Sequence, residues 1–235
     1  MPRMIELKSI YKSFGKQQVL NGLNLLLEPG KIYSLVGGNG AGKTTLFNVI
    51  TGFMKLDKGE IKLKDIRIDR LSPITINKMG VTRTFQDLRI ITKLSVKENI
   101  LLSFKGNPGE NIFNSILPSG LFKKKYMELN ERADIILHKI HLKSVENSLA
   151  GDISYGQQKL LTFGCCFAND AQLLLLDEPV AGIDNDNYNR IVNLVMGIKA
   201  EGRTVFQIEH NREYINQVSD HIFHLHDGIL LSSNN

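Results

Sequence analysis

Tryptophan is absent from the 235 residues, and the only two cysteines, Cys165 and Cys166, are adjacent. Neighbouring thiols cannot bridge separate segments and lack metal-ligand spacing, so a disulfide framework and a cysteine-based metal centre are excluded. They lie in a small-residue stretch of helical character and read as buried packing, a usage that fits a reducing compartment. No apolar run approaches the roughly 18 residues needed to span a bilayer, so any membrane role has to be borrowed from a partner. The opening MPRMIELKSI holds no apolar core of signal-peptide length. Charge of one sign is missing too. Lys plus Arg total 29 against 24 Asp plus Glu, a formal excess of +5, and a nucleic-acid binder would concentrate its excess on one basic face. The one tight basic run, Lys123-Lys124-Lys125, reads as a solvated helix start. No nucleic-acid partner is expected.

With 42% hydrophobic residues, the chain can bury a substantial core and suits one domain, or one domain with a lobe. Stretches 5–10, 19–27 and 32–36 are β-rich, broken by Gly15, Pro29-Gly30 and Gly37. A glycine loop then feeds a helix over 43–52 with Leu46, Phe47 and Ile50 on its apolar face. Short strands follow around 60–63 and 81–84. From about Ser95 to Leu149 the spacing of Leu129, Ala133, Ile136, Leu137 and Ile140 is helical. Gly106-Asn107-Pro108-Gly109 and Pro118-Ser119-Gly120 look like loop breaks within it. A further helix, a buried strand over 173–176, a helix over 188–200, a strand over 204–208 and a strand pair near 222–231 complete the chain. Strands alternating with helices imply a largely parallel sheet.

Gly37-Gly38-Asn39-Gly40-Ala41-Gly42-Lys43-Thr44 fits the phosphate-loop pattern G-x-x-x-x-G-K-[ST]. Gly37, Gly40 and Gly42 let the backbone curl until successive N–H groups point inward at phosphate oxygens. Lys43 supplies a point charge to the β- and γ-phosphates, the Thr44 hydroxyl is placed to ligate Mg²⁺, and Thr45 adds a phosphate contact. Leu173-Leu174-Leu175-Leu176-Asp177-Glu178-Pro179 is an apolar strand ending in two carboxylates at the carboxyl edge of the sheet. Asp177 would hold Mg²⁺, directly or through water, and Glu178 would polarise an attacking water as general base. His221, His224 and His226 suggest metal spacing, but strand alternation puts His221 on the face opposite the other two. Guanine reading is not indicated either, because Asn77-Lys78-Met79-Gly80 lacks the aspartate of Asn-Lys-x-Asp.

Between these elements, Ile153-Ser154-Tyr155-Gly156-Gln157-Gln158 resembles the signature sequence of the ATP-binding cassette (ABC) family, usually written LSGGQ. The resemblance implies an α/β phosphate-loop NTPase: a RecA-like mixed sheet core, an antiparallel β subdomain and an inserted α-helical lobe. The whole of 1–235 would be one such domain, with 1–90 and 160–235 as nucleotide-binding core and about 91–159 as signature lobe. It implies ATP and Mg²⁺ as ligands. Gln86, in Arg83-Thr84-Phe85-Gln86, matches the family's Q-loop glutamine, which contacts metal and water and links the site to the lobe. His210 matches the switch histidine that reaches the γ-phosphate and the catalytic water, with Asn211 where Asp is usual. Asp184 matches the D-loop aspartate that crosses a dimer interface, and Phe14 matches the aromatic residue that stacks on adenine, Tyr11 being the alternative.

Ser154 and Gly156 begin a helix, where free N–H groups and the dipole favour an anion, and Ser154 suits an N-cap. They stand about 110 residues from the glycine loop. By resemblance, Ser154, Gly156 and Gln157 cover the γ-phosphate held by a second copy or a related cassette, two chains closing head-to-tail on two ATP molecules. Asn39 to Asn48, Thr51-Gly52-Phe53, Gly80 to Gln86, Tyr155, Asp177 to Gly182 and Ile208-Glu209-His210 resemble the cassettes of branched-chain amino acid importers. Two features depart: Gly38 stands where proline is usual, and the sequence stops at Ser233-Asn234-Asn235 where such cassettes run on through a helical tail. The resemblance implies a peripheral ATPase on the cytoplasmic face of the inner membrane, in the bacterial cytoplasm when free. Transmembrane permease subunits would dock near the Q-loop and helical lobe. A specialised exporter stays open as an alternative. Ribosome-acting relatives usually carry two cassettes per chain and repair relatives a long coiled-coil insertion, and neither is here.

Overall fold

The computed structural model describes residues 3–84, 90–105 and 119–233, the side chains of 119–123 and 232–233 excepted. The chain divides into two compact units, one of Met1–Arg83, Ala171–Ala181 and Val195–Asn235, the other of Thr84–Asp170 and Gly182–Leu194.

The first unit is built on two sheets. Strands β1 (Ile5–Phe14) and β2 (Gln17–Leu27) form a hairpin, joined by β4 (Lys58–Leu63) and β5 (Ile66–Arg67) in the antiparallel order β2-β1-β4-β5. The second sheet has six strands, β10 (Ile229–Ser233), β9 (His221–His226), β3 (Ile32–Val36), β8 (Thr204–Ile208), β7 (Leu173–Asp177) and β6 (Val81–Arg83), in that order. All neighbours in it run parallel except β9 and β10. Every residue of β7 and β8 is buried, as strands covered on both faces of a parallel sheet are. Helix α1 (Lys43–Ile50) places Leu46, Phe47 and Ile50 among Ile5, Leu7, Leu23, Leu25, Ile61 and Leu63, which knits the two sheets into one core. Leu35 pairs with Ile208 and Asp177 with the same Ile208, so the carboxyl ends of β3, β7 and β8 stand level.

The second unit is helical. Helix α3 (Val96–Ser103) starts at a capping box of Ser95 and Glu98, and α4 (Ser119–Lys139) and α5 (Tyr155–Ala168) pack with it. Gly164 of α5 makes that packing possible, since a Cβ there would meet Ile140 at 2.7 Å. The first turns of α6 (Asn185–Ala200) belong here as well.

Two short helices differ from the sequence expectation. Helix α2 (Pro73–Lys78) has six residues and α7 (Arg212–Val218) seven, too few for a periodic apolar stripe to register. Each is announced instead by a cap, Ser72 and Asn211, whose side chains accept from Thr75 and Tyr214. Pro118-Ser119-Gly120 is not wholly a break, for α4 begins at Ser119. Gly106-Asn107-Pro108-Gly109 lies outside the described residues. Lys124 and Lys125 are exposed on α4, and His221 stacks on Tyr33 at 5.3 Å. Among the described residues no helix is long and apolar enough to cross a membrane.

Asp220 fastens the start of β3 to the end of α6. It accepts the Ile32 N–H at 2.8 Å and the Lys199 ammonium at 2.5 Å. Burial raises its pKa, but those two donors outweigh burial and hold the carboxyl below its ordinary range. A depressed carboxyl contributes stability above its unfolded pKa and loses it as pH falls through the folded value. Asp220→Ala is therefore expected to lower urea-unfolding stability by about 1–2 kcal/mol at pH 7. The gap from the parent should narrow as pH falls below about 4; a gap that persists unchanged in acid would sink the linkage.

Candidate nucleotide site

The glycine loop leaves β3 and enters α1 through Gly42, whose φ of +102° is left-handed. A Cβ on Gly42 would meet the Val19 carbonyl oxygen at 2.9 Å, and one on Gly37 would meet the Leu225 carbonyl oxygen at 2.5 Å. Glycine is thus required at both by close backbone approach. Gly38, by contrast, has open space where a Cβ would go. Gly38, Asn39 and Gly40 are exposed, and Ala41 turns the loop by donating its N–H to Gly38 O at 3.2 Å. Lys43, only 8% exposed, curls back to donate to the carbonyls of Gly37 at 2.7 Å and Gly38 at 2.9 Å. Burial pushes its ammonium below the ordinary lysine pKa, and the Glu178 and Asp177 carboxylates offset part of that shift. Thr44 is exposed and Thr45 half-buried in the first turn, where N–H groups have no partner within the helix.

Asp177 ends β7 with 6% of its side chain exposed, and its Oδ2 receives the Arg83 guanidinium at 2.7 Å. Arg83, exposed by 3%, also donates to Asn48 of α1 at 2.6 Å and lies over the Phe47 ring. One cation therefore ties the strand-end carboxylate to the helix that follows the loop. Glu178 adopts a left-handed φ of +49°, a conformation that costs a non-glycine residue about 1 kcal/mol or more. The turn is held by its N–H donating to Ile208 O at 2.9 Å and its carbonyl accepting from Ala181 at 3.3 Å. His210 Nε2 comes within 3.7 Å of Glu178 Oε1. Phe14 closes β1 at the hairpin turn and is 48% exposed, whereas the Tyr11 hydroxyl lies against Gly22. Gln86 lies outside the described residues.

The remaining sequence-predicted residues belong to the second unit. Ser154 caps α5 by accepting the Gln157 N–H at 3.3 Å, while Gln157 Oε1 accepts the Ser154 N–H at 3.0 Å. Gly156 is buried, and a Cβ on it would strike Asn187 at 2.4 Å. Asp184 caps α6, taking the Asn187 N–H at 2.9 Å and the Asn187 amide at 2.7 Å. Those bonds hold its carboxyl below the usual range. Residue patterns alone did not single out roles for Arg83, Asn48, Asn187 or Glu209. Glu209 carried a usable signal: a carboxylate directly after the buried strand Thr204–Ile208 and directly before His210.

A strand–glycine loop–helix passage beside paired strand-end carboxylates defines a phosphate-loop nucleoside triphosphatase. Residues 20–181 match the family described as ABC transporter. The high-affinity branched-chain amino acid transport ATP-binding protein LivG of Escherichia coli K12 is 32% identical over 98% of this chain and 91% of its own length. The transport ATP-binding protein BraF of Pseudomonas aeruginosa is also 32% identical, over 97% of this chain and 90% of its own. Among solved structures, a nucleotide-free ATP-binding cassette from an ABC transporter superposes with a TM-score of 0.82 at 32% identity, covering 97% of this chain and 90% of that one. The ADP conformation of the cassette MJ1267 gives 0.83 at 32% identity, over 100% and 92%. The chain belongs to the ABC transporter family, and it is an ATPase cassette with ATP and Mg²⁺ as its ligands.

The donor chemistry suits that metal. Among the described residues no three His, Cys, Asp or Glu gather into an all-protein cage, and a metal that keeps several waters and takes phosphate oxygens does not require one. Mg²⁺ favours such an arrangement. Gly37→Ala is expected to weaken binding of a fluorescent ATP analogue at least tenfold, because backbone must move. Gly38→Ala should stay within twofold of the parent; equal losses at the two positions would contradict the steric reading.

Proposed function

We propose that this chain is the ATP-hydrolysing subunit of a membrane importer of branched-chain amino acids. The observation that carries the proposal is the 32% identity to LivG across nearly the full length of both chains, joined to a complete set of hydrolytic side chains. Lys43 and the N–H groups of the loop and α1 bind the β- and γ-phosphates. Phe14 stacks on the adenine. Thr44, Asp177 and Gln86 hold Mg²⁺, which when bound neutralises phosphate charge. Glu178 takes the proton from the attacking water, and His210, 3.7 Å from it, orients that water and the γ-phosphate.

The loop, Asp177, Glu178 and His210 fall in one unit, and Ser154, Gly156, Gln157 and Asp184 fall in the other. Two chains closing head-to-tail would bring the signature of each to the γ-phosphate bound by its partner. Capping leaves the Tyr155 and Gly156 N–H groups at the head of α5 beyond the reach of any helix carbonyl, and these suit an anion. Asp184 would meet the partner chain. Permease subunits would dock beside Gln86 and the helical lobe, which puts the working protein on the cytoplasmic face of the inner membrane.

A strain lacking the gene is expected to lose uptake of labelled leucine and to recover it with the parent chain. Glu178→Gln should not restore uptake, should slow hydrolysis at least about a hundredfold, and should accumulate as an ATP-bound dimer on size exclusion. Hydrolysis at the parent rate would remove Glu178 as the base. Parent-like uptake without the chain would remove the substrate. Ser154→Arg should abolish hydrolysis while monomer affinity for ATP stays within twofold; loss of monomer binding would count against a role across the dimer.

A further inference from the structure

Glu209 is only 3% exposed, and among the described residues no cation pairs with it. A carboxylate buried without a counter-ion is unfavourable unless its oxygens are hydrogen-bonded. Here the partners are all backbone. Oε1 accepts the N–H of His210 at 2.8 Å and of Asn211 at 3.1 Å, and Oε2 accepts the N–H of Val180 at 3.4 Å. One oxygen thus gathers the turn that carries His210. The other reaches the turn that leaves Glu178. The strand ends below are joined as well, through Glu178 N–H to Ile208 O at 2.9 Å. On the far side of His210, Asn211 caps α7 by accepting the Tyr214 N–H at 3.0 Å.

We propose that Glu209 is a positioning residue whose carboxylate clamps the His210 turn to the Glu178 turn and so fixes the distance between those two side chains. The proposal rests on the reading of Glu178 and His210 as the hydrolytic pair. A neutral amide cannot serve in its place. Glutamine would turn an NH₂ toward a backbone N–H on one side, so one of the two turns would be released.

The test is a double-mutant cycle on the full chain. Glu209→Gln is expected to lower kcat at least tenfold while KM for ATP and binding of a fluorescent ATP analogue stay within twofold. In a His210→Ala background the same substitution should cost less than twofold further, because there is no imidazole left to place. A merely structural role would multiply the two losses in full, and that result overturns the proposal. So does a kcat for Glu209→Gln equal to the parent. Should Glu209→Gln not fold, Glu209→Asp keeps the charge but is one methylene too short to reach both turns. It is expected to show the same kcat loss, and a folded Glu209→Asp chain with parent kcat also overturns the clamp. His210→Ala and Glu178→Gln alone serve as controls: parent activity in both would discard the catalytic reading itself, whatever Glu209 does.

Discussion

The rest of the structure depends on the parallel register of β3, β7 and β8. Strands β7 and β8 are buried along their whole length, so each has to be covered on both faces and cannot serve as an open antiparallel edge. Parallel pairing then forces all three to finish on the same side. With Leu35, Asp177 and Ile208 level, the next residues of each strand emerge together: Gly37 after β3, Glu178 after β7, Glu209 and His210 after β8. The chemistry is gathered by the burial requirement of the strands, and the side chains need only be of the right type when they arrive.

What arrives there is polar and has to be held. Arg83 and Asp177 face each other with 3% and 6% of their side chains exposed. Such a pair contributes little net stability, but removing either partner leaves a buried charge that costs about 3–5 kcal/mol. Asp177 is therefore fixed in direction by a partner that also grips Asn48 on the loop's own helix. Glu209 meets the same problem differently, using backbone N–H groups in place of a cation.

The sequence made the strand-end carboxylates, the glycine loop and the signature helix legible, because each has a local pattern with a local cause. Leu173 to Leu176 is apolar because it is buried, Gly37 and Gly42 are glycines because carbonyl oxygens crowd them, and Ser154 opens a helix because it caps one. Contacts between segments distant in the chain left no such mark. The Arg83–Asp177 bridge joins residues 94 positions apart and the Glu209–Val180 contact residues 29 apart, and neither follows from any periodicity. Asn187 is equally silent in sequence, although Gly156 is glycine because Asn187 packs on it. Helices α2 and α7 escaped notice because six or seven residues complete fewer than two turns.

Glu178 carries a last consequence in its left-handed backbone. A single base change converts a glutamate codon to glycine, the one residue that accepts φ of +49° without strain. The mutation that silences the proposed base would relax the turn that holds it. At this site the genetic code sets glycine one step away and backbone energy favours it, so the glutamate has to be retained for its side chain, as its proposed role as base requires.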